Sequence, residues 1–203
     1  MWHTGSAMAA ADADVNDWFD QNFVRFMEND IGAAIRGCGN FGAALMLVCY
    51  TEVLGGVRTG TLGIDDNVRD NFNAGLKLLD DAAAAESTAN GTAYYTAFPI
   101  KLGGAASNLY KVLRCGLVHE YFTKGLIGIG NNPADPEGVS APGANGILWN
   151  GQAFIFDVNA YFKHFRAAVR ALWKSILDDT ASTGARKNFE AVLATLSGRT
   201  VTP

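Results

Sequence analysis

Apolar side chains recur at spacings of three and four residues along most of this chain, and that period constrains the fold more than any other feature. The clearest case lies near the C-terminal end. There Phe162, Phe165, Val169, Leu172, Trp173 and Ile176 share one side of a predicted helix, with Asn159 placed to cap its start. Val15 to Met27 puts Trp18, Phe19, Phe23, Phe26 and Met27 on one helical face, with Asp14 available as a cap. Ile31 to Val57 carries Ile31, Ile35, Cys38, Leu45 and Cys49 near the same period. Its many Gly and Ala residues let a neighbouring helix approach closely but weaken the helix itself. GGVRTGTLG (55–63) ends it. Residues 66–85 predict a further helix with Val68, Phe72, Leu76 and Leu79 inward, and 185–196 a shorter one. Pro99 suits a first helical position, and the pattern after it runs to Phe122.

A different texture follows. GLIGIGNNPADPEGVSAPGANG (125–146) is rich in Gly, Pro and Asn and predicts a long loop flanked by short β-like pieces. In ILWNGQAFIFDV (147–158), Asn150-Gly151 stands between two apolar runs. Asn-Gly tolerates the positive φ angles of a type I′ turn, so this is a hairpin signal. The predicted architecture is mainly α: a helical bundle with a small inserted β-hairpin near 147–158. The chain of 203 residues suits one domain with a core of its own. Residues 1–13 are expected to be disordered or the remnant of a tag, and 125–158 to be an insertion of loop and hairpin.

Several function classes lose ground on composition. A net charge of -4 disfavours a general nucleic-acid-binding surface, so any phosphate contact must be local. Three cysteines, Cys38, Cys49 and Cys115, with no CxxC spacing, argue against a disulfide framework or a zinc site and fit a reducing compartment. The most apolar run, Phe41 to Tyr50, is about half the length a bilayer span needs, and no basic residue precedes the N-terminal apolar patch. A cytoplasmic protein without membrane contact is expected.

Among motifs, GCGNFG (37–42) matches GxGxxG literally. A dinucleotide fingerprint needs a strand before its first glycine, and the residues upstream read as helix. Gly37, Gly39 and Gly42 are expected at a helix crossing or kink instead. His3 lies in the leader, and His164 in YFKHF is expected to pack, partly buried, on the last long helix. Neither has a second ligand at metal spacing, so no metal and no cofactor are expected. Asp80-Asp81 and Asp178-Asp179 look like solvated helix ends, and no GxSxG elbow occurs.

LYKVLRCGLVHEYF (109–122) is harder to dismiss, because a helix built for a core carries Arg114 and His119. On a wheel of about 100° per residue, Leu102, Ala106, Leu109, Leu113 and Leu117 form one stripe. Arg114 and His119 fall off it, about 140° apart, with Lys111, Cys115, Val118 and Phe122 between them. Such a mixed face suits a partner helix or a subunit interface with an anion site at its edge.

At these residues the chain resembles the HEPN superfamily of small, typically dimeric α-helical bundles, many of them metal-independent ribonucleases. The family signature is an Arg, four to six residues, then a His on a late helix, and RCGLVH (114–119) has that spacing. The family often places a polar residue directly after the Arg, where this chain has Cys115. The resemblance implies that His119 serves as general base, or positions a ribose 2′-hydroxyl, and that Arg114 stabilises charge on the phosphate. It also implies a homodimer that brings two such pairs into one cleft. Lys111 is a candidate phosphate or RNA contact, and an antitoxin-like protein a candidate partner.

Three readings compete at this stage. One is a HEPN-type endoribonuclease of the toxin or defence kind. Another is a HEPN-like binding or interaction module without catalysis. In the last, the helical protein has an unrelated function and Arg114 pairs with a carboxylate such as Glu52.

Overall fold

Six buried apolar residues at a strict four-residue period, Val15, Phe19, Phe23, Met27, Ile31 and Ile35, define the first helix. The computed structural model describes residues 11–86, 95–96, 100–102, 105–107, 109–116, 127–132, 134, 146–149 and 154–198. Helix α1 covers 12–36 without a break: α-helical at Asp12–Phe19, π-helical at Asp20–Val24 and Met27–Ile31, and α-helical again at Gly32–Arg36. In a pure α-helix a four-residue period precesses by about 40° per step. A π turn, with about 4.4 residues, precesses the opposite way, so alternating the two keeps all six side chains on one face. A break between Met27 and Ile31 was expected, and the π turns are why none is needed. Phe26, expected inward, is 37% exposed. Asp14 is not the cap. It sits in the first turn, where its carboxylate accepts from Ala11 N at 3.1 Å. The helix starts at Asp12, so the expected disorder does not extend to Asp12 and Ala13.

The break falls at Gly37–Gly39. Cys38, expected on an apolar helical face, is an exposed corner residue with φ +59°. Gly37 N and Gly39 N donate back to Ala33 O and Ala34 O at 2.9 and 2.7 Å. Helix α2, Asn40–Thr59, then runs through the centre and stops at Gly60, whose φ of +78° is left-handed. It is longer than the apolar run alone suggested. By length and composition α2 could cross a membrane, but half of its most apolar window is buried inside the fold. After a 3₁₀ turn at Asp65–Asn67, helix α3 covers Val68–Glu86. Helices α2 and α3 touch backbone to backbone. A Cβ placed on Gly75 would lie 2.0 Å from Thr51 O, and one on Gly55 1.8 Å from Asn71 O.

Residues 100–107 correct the sequence reading. Ile100–Leu102 (β1) and Ala105–Ser107 (β2) pair as a two-stranded antiparallel ribbon, where a helix is expected from Pro99. Leu102 pairs with Ala105, a strand pairing that overrides the helical spacing of Leu102 and Ala106. Helix α4 is described over 109–116, with a π turn at Tyr110–Arg114.

A mixed sheet in the order β3-β5-β4 follows, from Ile127–Gly130, Phe154–Asp157 and Ile147–Trp149. The expected hairpin strands pair antiparallel, but Trp149 faces Phe154, whereas a two-residue Asn150-Gly151 turn would set it opposite Gln152. At the start of the stretch expected as a loop flanked by short β-like pieces, β3 pairs parallel to β5. Among the described residues the remaining structure is helical: α5, Val158–Asp178, and α6, Ala185–Leu196.

Asp157, not Asn159, caps α5, accepting from Ala160 N at 3.0 Å. Asn159 is buried inside the first turn and clamps Asn132, accepting from its N at 2.7 Å and donating to its O at 3.0 Å. Asp157→Ala is therefore expected to cost about 1 kcal/mol, read as a lower urea midpoint at unchanged slope. No loss of stability would remove Asp157 from the capping role.

The ends of the fold meet. Phe19 stacks on Trp173 with centroids 5.5 Å apart, and Trp18 sets its edge on Phe189 at 5.3 Å. Trp173 Nε1 donates to Asn16 Oδ1 at 2.9 Å, and the buried Arg186 pairs with Asp12.

Candidate functional site

Helices α2 and α4 each carry a charge in an apolar stretch, and the fold brings the two together. Arg114 Nε donates to Glu52 Oε2 at 2.8 Å. The side chains keep only 14% and 19% of their surface exposed. The guanidinium carbon lies 5.9 Å from the Tyr110 ring centroid, and that ring is 6.0 Å from Phe72 on α3. Three helices thus fix one cation.

The π turn explains the arrangement. Cys115 N donates to Tyr110 O, five residues back. The wider turn changes the angular placement assumed on the wheel. Val112 and Leu113 point inward with Leu109, Lys111 is exposed, and Arg114 reaches α2 of its own chain. The mixed face expected at a subunit interface is thus partly occupied internally, at Arg114. His119, Val118 and Phe122 lie outside the described residues.

The electrostatics follow from burial and this pairing. Burial works against the charged form of Arg114, but the hydrogen bond and charge of Glu52 outweigh it, so its pKa rises above the ordinary value. Burial pushes the Cys49 thiol up, Arg114 opposes, and Glu52 adds to the rise. Cys49 is accordingly a packed thiol and a poor nucleophile. The Tyr110 hydroxyl is raised by burial first, then by the charge and hydrogen bond of Cys115.

Glu52 was legible as a partner because it is the lone acid in α2. The sequence does not mark Tyr110 or Cys49 as neighbours of Arg114, since a tyrosine or cysteine among apolar residues carries no signal of its own. Removing one charge leaves the other mostly buried. Arg114→Ala is expected to cost about 1–3 kcal/mol, discounted from fully buried pairs for the remaining exposure. Adding Glu52→Gln should recover part of that loss, and a double-mutant cycle by urea unfolding measures it. Additive effects would mean that the contact has no energetic content.

The other predicted positions resolve differently. GCGNFG is the corner between α1 and α2, with helix on both sides. His164 is buried on α5, with Nδ1 2.7 Å from Tyr95 Oη. Gly146 N donates to the same oxygen at 3.1 Å. Asp80 is not a solvated helix end. It is buried, and its carboxylate accepts from Tyr95 N and from both the N and Oγ1 of Thr96. Asp179 likewise organises the turn before α6. It accepts from Gly184 N at 2.8 Å, Arg186 N at 3.1 Å and Thr183 N at 3.3 Å. Those donors, Gly184 first, hold its carboxyl below the usual range. These partners lie far along the chain or within an irregular turn, where periodicity says nothing. Among the described residues no three His, Cys, Asp or Glu side chains are grouped so as to hold a metal ion.

No family model matches the chain, and neither a curated protein nor a solved structure matches it.

Proposed function

We propose that this chain is a HEPN-type, metal-independent endoribonuclease that works as a homodimer, with Arg114 and His119 at the cleft and Lys111 contacting phosphate. The observation that supports it is the fixed guanidinium. Glu52 holds Arg114 through Nε at 2.8 Å, which sets the plane of the group before any substrate arrives. A pre-oriented donor stabilises developing phosphate charge without reorganisation in the transition state. In the proposed reaction His119 takes the proton from a ribose 2′-hydroxyl, the 2′-oxygen attacks the adjacent phosphorus, the bond to the 5′-oxygen breaks, and the leaving oxygen takes a proton from water, to which His119 later returns its own. The products are a 2′,3′-cyclic phosphate and a 5′-hydroxyl. DNA, without the attacking group, is spared.

The pairing of Arg114 with Glu52 is what the reading of a helical protein of unrelated function expects, and it also supports a second reading within the HEPN likeness. Glu52 neutralises Arg114 where the enzyme needs a cation, and the chain as a whole carries a charge of -4. Under it the protein is a non-catalytic HEPN-like module that binds RNA or an antitoxin-like protein.

Incubation with mixed RNA in EDTA separates the two. Cleavage with cyclic phosphate ends supports the enzyme. Cleavage that appears only with magnesium sinks the mechanism, and no cleavage in either buffer leaves the binding module and the reading of an unrelated helical function.

A further inference from the structure

A groove of about 320 Å³ opens between α3 and α5 and shares no residue with the Arg114 cluster. Helix crossings normally fill with interdigitating side chains. Here the facing positions are Ala82 and Ala85 on α3 and Ala167 and Ala171 on α5, whose methyl groups are too short to close the gap. Leu78 and Leu172, both buried, line it more deeply. The volume falls at the small end of the range for small-molecule sites, and the lining has the usual apolar character with few polar groups.

The charges around it are unequal. Asp81 lies 3.9 Å from Lys77, one turn earlier on α3, and so has a counter-ion. Arg58, at the end of α2, also lines the groove and has no carboxylate partner among the described residues. Its backbone is anchored by Asn188 Nδ2, which donates to Arg58 O at 2.8 Å. An apolar slot with one uncompensated cation complements a molecule with an apolar tail and a single negative head.

We propose that this groove binds a medium-chain aliphatic monocarboxylate, its tail along the four alanines and its carboxylate at Arg58. Isothermal titration of the full chain with hexanoate, octanoate and decanoate below their micellar concentrations tests this. Each added pair of methylenes should tighten binding about tenfold until the groove is full. 1-Octanol should bind at least tenfold more weakly than octanoate. Arg58→Gln should lose about tenfold for octanoate. Ala171→Leu, at an exposed helical position, should block binding while leaving the thermal midpoint in place. Absence of saturable binding at every chain length overturns the proposal. So does an alcohol as tight as the acid, or octanoate affinity unchanged by Arg58→Gln and Ala171→Leu.

Discussion

Adding one methyl group at Gly75 is expected to unfold this protein or come close to it. The Cβ would sit 2.0 Å from Thr51 O and 2.8 Å from Thr51 Cγ2. The closest of these atoms belongs to the α2 backbone, so no rotamer change relieves the contact. Separating α2 from α3 would loosen Leu47, Leu54, Phe72 and Leu76, all of them in the core. Overpacking usually costs about 1–3 kcal/mol, and a clash with backbone belongs at or beyond the top of that range. Domains of this kind have roughly 5–15 kcal/mol of stability in total. The sign is the informative part, because Gly→Ala inside a helix is otherwise stabilising by about 1 kcal/mol. Gly42 is the internal control. It lies in α2 as well, and its added Cβ meets nothing within 4 Å. Urea unfolding should show Gly42→Ala unchanged or firmer and Gly75→Ala severely weakened. Equal stability of the two variants would show that the helices do not touch as described.

Arg114→Ala and His119→Ala should each reduce RNA cleavage about a hundredfold or more under the proposed mechanism. Losing one oriented donor or one general base typically costs that much. Arg114→Lys should recover little, since an ammonium cannot reproduce the planar fork that Glu52 holds through Nε. Lys111→Ala is expected to raise KM more than it lowers kcat, as befits an exposed phosphate contact. Single-turnover cleavage in EDTA, alongside circular dichroism to confirm folding, measures all four. A folded His119→Ala variant with full activity would remove the imidazole from the chemistry. Stability loss in Arg114→Ala is separable because Glu52→Gln restores part of it without restoring the guanidinium.

Helix type and several boundaries were legible because burial follows the 3.6-residue period directly. Residues 185–196 matched throughout, and 66–85 fell within two residues of the helix at Val68–Glu86. The Gly and Ala content of 31–57 foretold the close approach at Gly55. What escaped the sequence has identifiable physical causes. Leu102 and Ala106 sit at helical spacing, and that pattern conceals the pairing of β1 with β2. The four-residue period of α1 reads as two helices because a π turn leaves no mark of its own in the sequence. Glu52 could be named as a partner for Arg114, since lone charges in apolar helices need compensation. The surroundings of Asp80 and His164 could not, because Tyr95 lies 15 and 69 residues away from them.

The meeting of the two ends also sets a schedule for synthesis on the ribosome. Trp18 and Phe19 are made early, yet the rings they pack against, Trp173 and Phe189, come some 155–170 residues later. At about 5–20 residues per second, the aromatic face of α1 waits roughly 10–30 s for its cover. The nascent chain therefore presents a sticky surface before its partners exist. Slow translation of the last two helices should lengthen that exposure and raise the load on chaperones, with no change in the finished structure.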